Sequence, residues 1–218
     1  MTEKRASERR SPVGAPVVRA DPTITGDRAE EAIEFDPDDP ESVAEAARIV
    51  HEFADGDVED DHVAMLRGAA ACAALVRGVG SYKTAGEKAG GVSVSFIRKW
   101  ARVHDLPQAI RRHVARGEIA PTAAKHIARV QGETRYVLAW AVLDGELTVR
   151  DVRAIASEVN DGASVEDALE ERGVTPGELT LSLPIETYVE LRRRAAMENC
   201  SPASIVARAL DAEFDSTG

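Results

Sequence analysis

Apolar positions recur every three to four residues along most of this chain, the spacing of helices that bury one face. Asp39-Pro40 is a cap followed by a first-turn proline, and Val43, Ala46, Ala47, Val50 and Phe53 follow at helical spacing up to Gly56. Asp60 or Asp61 caps the next helix, with Val63, Leu66, Ala70, Ala73, Leu75 and Val76 leading to Gly78. A short helix is predicted over Tyr82–Ala89 and a second over Ser93–Val103, with Gly90-Gly91 between them. Further helices are predicted over Gln108–Arg116, from Pro121 to Val130, over Thr134–Leu143, and over Val149–Val159 capped by Thr148. The period then changes. In Glu178-Leu-Thr-Leu-Ser-Leu-Pro184, Leu179, Leu181 and Leu183 alternate with Thr180 and Ser182, a period of two that predicts a strand ended by Pro184. Ile185, Val189, Leu191 and Ala195 mark another helix. Ser201-Pro202 opens a last one carrying Ile205, Val206, Ala209 and Leu210.

Tyr82 to Pro107 is the stretch with chemistry to offer. Ile97, Trp100 and Ala101 fall on one face of its second helix, and Ser95, Arg98, Lys99 and Arg102 fall on or near the other. Two short helices around a glycine turn, the second cationic outside and apolar inside, have the build of a helix-turn-helix that enters a DNA major groove. The expected DNA-binding residues are Ser93, Ser95, Arg98, Lys99 and Arg102, with Lys83 from the first helix. Ser93 and Ser95 are helix caps first and DNA contacts second, and Trp100 is core by its spacing rather than a stacking platform.

Charge changes the picture. The net charge is −11, which for the whole chain argues against a nucleic-acid binder. By segment, residues 1–64 carry about −11, residues 65–160 about +7 and residues 161–218 about −7. The positive charge is concentrated where the helix pair lies. The acidic excess, with arginine far outnumbering lysine, resembles proteins of salt-accumulating microbes. High salt weakens the counterion-release part of DNA affinity, so base contacts, shape and avidity would carry more of it.

Aromatic residues are 4% of the chain and alanine is abundant, which predicts thin helix-on-helix packing. Cys72 and Cys200 form neither a disulfide framework nor a zinc site and suit a reducing compartment. No apolar run approaches membrane-spanning length, and residues 1–30 lack a signal-peptide core, so the expected location is cytoplasmic, with no membrane partner. No phosphate loop and no His/Cys/carboxylate set at ligand spacing is present; no catalytic residue, metal or cofactor is expected.

The order of these elements carries a resemblance. TAGEKAGGVSVSFIRKWARVHDLP, RGEIAPTAAKHI and DGELTVRDVRAIASEV, within residues 83–158, resemble the central DNA-binding domain of the ParB partition family. Arg102 and Leu106-Pro107 stand at matching positions, as do Leu147, Val149, Arg150 and Val152. In that family the arginine matching Arg102 either contacts DNA or supports the fold. Val94 stands where the family usually has an arginine. The segment before residue 39 is too short for the family's CTP-binding domain, so sliding-clamp activity is not implied.

Residues 178–214 resemble the ribbon-helix-helix fold of Arc- and CopG-type repressors and antitoxins. A lone strand has unpaired edges, which pairing with a twin across a two-fold axis resolves. The resemblance implies that Thr180, Ser182 and Glu178 face the groove, with Ser201 to Ser204 as a phosphate clamp. Glu178 departs from the pattern, partly offset by Arg192, Arg193 and Arg194. Thr180 and Ser182 either read bases or form the solvent face of a tail that only dimerises.

The expected architecture is therefore mainly α. It comprises a polar, disordered segment 1–38 (its Arg5, Arg9 and Arg10 a solvated tail or a basic arm), a multi-helical helix-turn-helix domain 39–160, an acidic helix and linker 161–177, a ribbon-helix-helix module 178–214 and a disordered end 215–218. The expected function is a sequence-specific, homodimeric, double-stranded-DNA-binding regulator of transcription. The alternative is a non-catalytic partition accessory or antitoxin-like module that docks a protein partner through the acidic helix 161–172.

Overall fold

The computed structural model describes residues 35–56, 61–145 and 147–217. The expectations for residues 1–34, including the basic arm, lie outside the described residues. The protein is mainly helical, and among the described residues there are eleven helices and no strand. They divide into two compact units, with the break between Gly177 and Glu178.

The first unit is built around one helix. α1 (Pro40–Asp55) and α2 (His62–Val79) are followed by α3 (Tyr82–Lys88), α4 (Val94–His104), α5 (Gln108–Ala115), α6 (Pro121–Ile127), α7 (Thr134–Asp144), α8 (Val149–Asn160) and α9 (Val165–Glu170). α2 packs against α1, α3, α4, α5 and α6. It is surrounded because its sequence is apolar nearly all round, with an unbroken buried run from Gly68 to Leu75. No apolar run of membrane length is expected from the sequence, yet α2, at 18 residues, is long and apolar enough to cross a bilayer by length and composition. Its neighbours cover most of it, which makes it the core helix of this unit.

The helix ends follow the sequence closely. The Asp39 carboxylate accepts hydrogen bonds from the Glu41 and Ser42 amides at 3.1 and 3.2 Å, and Asp61 accepts from Ala64 at 2.9 Å. Thr148 and Asp151 form a reciprocal capping box at the start of α8. Residues 35–38, expected within the disordered segment, form a turn instead. The Asp36 amide donates to Ser42 Oγ at 2.8 Å, and Phe35 packs against the core.

The acidic segment is also more than a linker. Val165, Ala168 and Leu169 of α9 are buried in the core of the first unit, and α9 packs on α7 and α8. Its acidic residues are confined to the outer face, where Glu166, Asp167, Glu170 and Glu171 are exposed.

One glycine sets the depth of the α1–α2 contact. A Cβ at Gly68 would lie 2.3 Å from the Phe53 ring. That ring has no room to retreat, since it meets Trp100 edge-on at 4.8 Å and Phe96 at 5.3 Å. Gly68→Ala is expected to cost about 1–3 kcal/mol through overpacking, despite the gain in helix propensity. Urea unfolding measures it, and Phe53→Leu in the same background is expected to restore part of the loss.

The second unit holds α10 (Ile185–Met197) and α11 (Pro202–Thr217), which pack on each other. α11 runs to Thr217, so residues 215–217 are helical rather than a disordered end. Residues 178–184, expected as a strand, have no ladder. A strand exists through its partner, and among the described residues no second strand is present to pair with it. Among the unit's described residues only Ala195 is buried, while Leu179, Leu181, Ile185, Val189, Met197 and Phe214 are exposed.

Candidate functional site

The helix pair α3–α4 projects a cationic face from an apolar base. The chain reverses between the helices at Gly90 (φ +74°) and Gly91 (φ +94°), in the left-handed region that residues with a Cβ resist. Ser93 caps α4, its Oγ accepting from the Phe96 amide at 3.2 Å. Ser95 Oγ lies 3.1 Å from Ser93 Oγ, so both hydroxyls are engaged at the helix start. Ile97, Trp100, Ala101 and Val103 are buried against α2, while Arg98, Lys99 and Arg102 are exposed.

The aim of α4 is fixed at both ends. Towards its start, Phe96 joins the cluster of Phe53 and Trp100. At its C-terminus, Asp105 accepts from Arg77 of α2 at 2.9 Å. Arg111 of α5 lies within the field of the same carboxylate and is 2% exposed, so it is structural and not part of a binding face. Burial, with Arg111 and Arg77 nearby, pushes the His104 pKa down to about 3, which keeps this buried ring neutral. Cys72 is likewise inert: burial pushes its thiol up to about 12.

The exposed cations of α4 do not stand alone. Ser95, Arg98, Lys99 and Arg102 line an open pocket of about 410 Å³ together with Thr122, Lys125, His126 and Arg129, at or beside α6, and Val149 at the start of α8. Five of these residues are cationic and none is a carboxylate. Among the described residues, no ion pair engages Arg98, Lys99 or Arg102. Arg98 rests over the Tyr82 ring at 5.2 Å, and Lys125 lies over Trp100 at 4.5 Å, so two of the cations are braced by aromatic faces. Among the described residues His126 Nδ1 is buried with no hydrogen-bond partner, and burial together with Arg129, Arg153, Lys125 and Lys99 lowers the pKa of its ring.

Sequence reading places Ser95, Arg98, Lys99 and Arg102 together, and the structure brings all four to this pocket. It misses Thr122, Lys125, His126 and Arg129. Their signal is present: these residues recur at three- and four-residue intervals opposite the buried Ala123, Ala124, Ile127 and Ala128. Lys83 is exposed but lies outside the pocket, 4.0 Å from Glu87.

The second unit presents a different balance. Thr180 and Ser182 are exposed. Ser201 Oγ accepts from the Ser204 amide at 3.1 Å, and the two hydroxyls lie 2.8 Å apart, so Ser201 caps α11. Arg193 and Arg194 both pair with Glu190 at 2.7 Å, and Arg192 lies over Tyr188 at 5.5 Å. Arg193 and Arg194 thus share one carboxylate, and Arg208 is paired with Glu198.

No curated protein and no solved structure matches the chain. One family model does, over residues 36–174, from the turn before α1 to the residues just past α9. That span takes in the basic pocket, the helix pair and nearly all of the first unit, and it is well over half of the chain: the protein belongs to DUF7119, a family of unknown function.

Proposed function

We propose that this protein is a sequence-specific DNA-binding protein, a homodimeric transcriptional regulator whose α4 enters the major groove. The observation that carries this reading is the exposed, carboxylate-free cationic face of α4, held out by a buried apolar back. A helix of 11 residues with cations on its outer face fits the width of a B-form major groove. In this reading α3 and α4 form a helix-turn-helix of the ParB type. The second unit completes a ribbon-helix-helix dimer, with residues 178–184 pairing across the two-fold axis and the module serving assembly more than base reading.

Selection from a random duplex library, followed by mobility shift at fixed salt, tests the proposal. The expected outcome is one enriched motif with two related half-sites, since a two-fold protein reads a two-fold site. Arg98→Ala with Lys99→Ala is expected to weaken binding about tenfold or more and to flatten the salt dependence by about two counterions. Recovery of no motif, or an unchanged affinity in the double variant, counts against it.

A second reading, a partition accessory or antitoxin-like module that docks another protein, draws on the exposed acidic face of α9. Stable capture of a protein partner that is lost on Glu166→Lys with Glu170→Lys, alongside non-specific DNA binding, would favour it.

A further inference from the structure

The pocket between α4 and α6 has a second wall that the reading of α4 as the groove-entering helix does not use. Arg98, Lys99 and Arg102 come from one side, and Lys125 and Arg129, with Thr122 and His126, come from the other. Five cations surround one open volume of about 410 Å³ with no carboxylate in its lining, a field that favours an anion. The lining also says which anion. Its lining holds no Phe, Tyr or Trp, one imidazole (His126) and one apolar side chain (Val149), so it offers a nucleobase little surface on which to stack. Thr122 adds a hydroxyl donor, and guanidinium and ammonium donors around one volume suit an anion that presents several oxygens at once, as a phosphate does.

We propose that α4 and α6 form a seat for a phosphodiester of the DNA backbone, with Lys99, Lys125 and Arg129 holding its oxygens while α4 lies in the adjoining groove. The inference rests on the DNA-binding reading above and adds α6 to it as a clamp that sets register without reading sequence. His126 is the internal reporter of occupancy. The cations facing it are Lys99 from α4, Lys125 and Arg129 beside it, and Arg153 from α8, all of which disfavour its protonated form. An anion in the seat opposes that field, so the ring of the occupied protein takes up a proton more readily.

The test uses the full chain, with Arg129→Ala and Arg129→Lys, and two probes: duplex DNA across a salt series, and inorganic phosphate followed through the His126 ring signals by NMR. Arg129→Ala is expected to weaken binding to the selected duplex and to random duplexes by the same factor, about tenfold. It is also expected to lower the salt slope by about one, with Arg129→Lys restoring most of that slope. Inorganic phosphate is expected to shift the His126 titration upward in the unaltered chain and less in Arg129→Ala. A chain that binds duplex DNA, with an unchanged slope in Arg129→Ala and His126 signals indifferent to phosphate, overturns the seat and leaves the α4 reading standing. A chain that binds no duplex, yet whose His126 signals still move with phosphate, overturns the DNA backbone as the occupant and the function proposed above with it.

Discussion

Trp100→Ala is expected to remove about 3–5 kcal/mol from the stability of the first unit, the range for emptying a buried aromatic site. Trp100 is 3% exposed and meets Phe53 edge-on at 4.8 Å. Phe96 lies tilted against it at 6.3 Å. The ring lies where α1, α2 and α4 converge, so its loss opens a cavity that no single neighbour can fill. Alanine-rich surroundings worsen this, because methyl groups have no rotamers with which to close over a void. Urea unfolding of the full chain followed by circular dichroism measures the change; a loss under about 1 kcal/mol would contradict this packing account. The same substitution removes the surface beneath Lys125, so residual folded protein is expected to bind anions more weakly as well.

In the proposed homodimer, Leu181→Glu is expected to shift the chain to a monomer at micromolar concentration, a weakening of about a hundredfold or more. The reason lies in the balance of the second unit. Leu179, Leu181 and Leu183 are 62%, 58% and 38% exposed, and the unit buries almost nothing of its own. Each fully buried leucine contributes about 1.5–3 kcal/mol. A two-fold contact brings two copies of residue 181 into one interface, so each substitution acts twice and places like charges together. Light scattering coupled to size exclusion reads the outcome. A chain that remains dimeric with Glu at 181 would place the self-association elsewhere.

The legibility of this chain divides along a physical line. What depends on neighbours within a few residues can be read directly. Asp39, Asp61, Ser93 and Thr148 each accept the backbone hydrogen bond that their position implies. The apolar back and cationic front of α4 follow from spacing alone. What depends on distant partners cannot. Arg111 looks like one of a run of surface cations with Arg112 and Arg116, yet it is buried near Asp105 and Arg77. The acidic stretch at 161–172 reads as solvated by its charge count. The spacing of Val165, Ala168 and Leu169 was the better guide, since a helix goes inward by one stripe whatever its opposite face carries. The second half of the basic pocket needs the crossing of α4 and α6, which no local pattern encodes. Residues 178–184 carry the alternation of a strand without a ladder, since a sequence can set that period without supplying a mate.

A bundle centred on α2 is held together by methyl groups, and this has a mechanical consequence. Ala69, Ala71, Cys72, Ala73 and Ala74 are all buried, and side chains this small let a neighbouring backbone approach closely. Larger side chains such as Phe53, Leu66, Leu75 and Trp100 fill the spaces that this run of small residues leaves. The cationic cleft stands on this bundle, with Lys125 of one rim resting on the buried Trp100 of the other rim's helix, like one jaw of a spanner seated on its handle. Such a tool grips one gauge of workpiece and gains little by flexing.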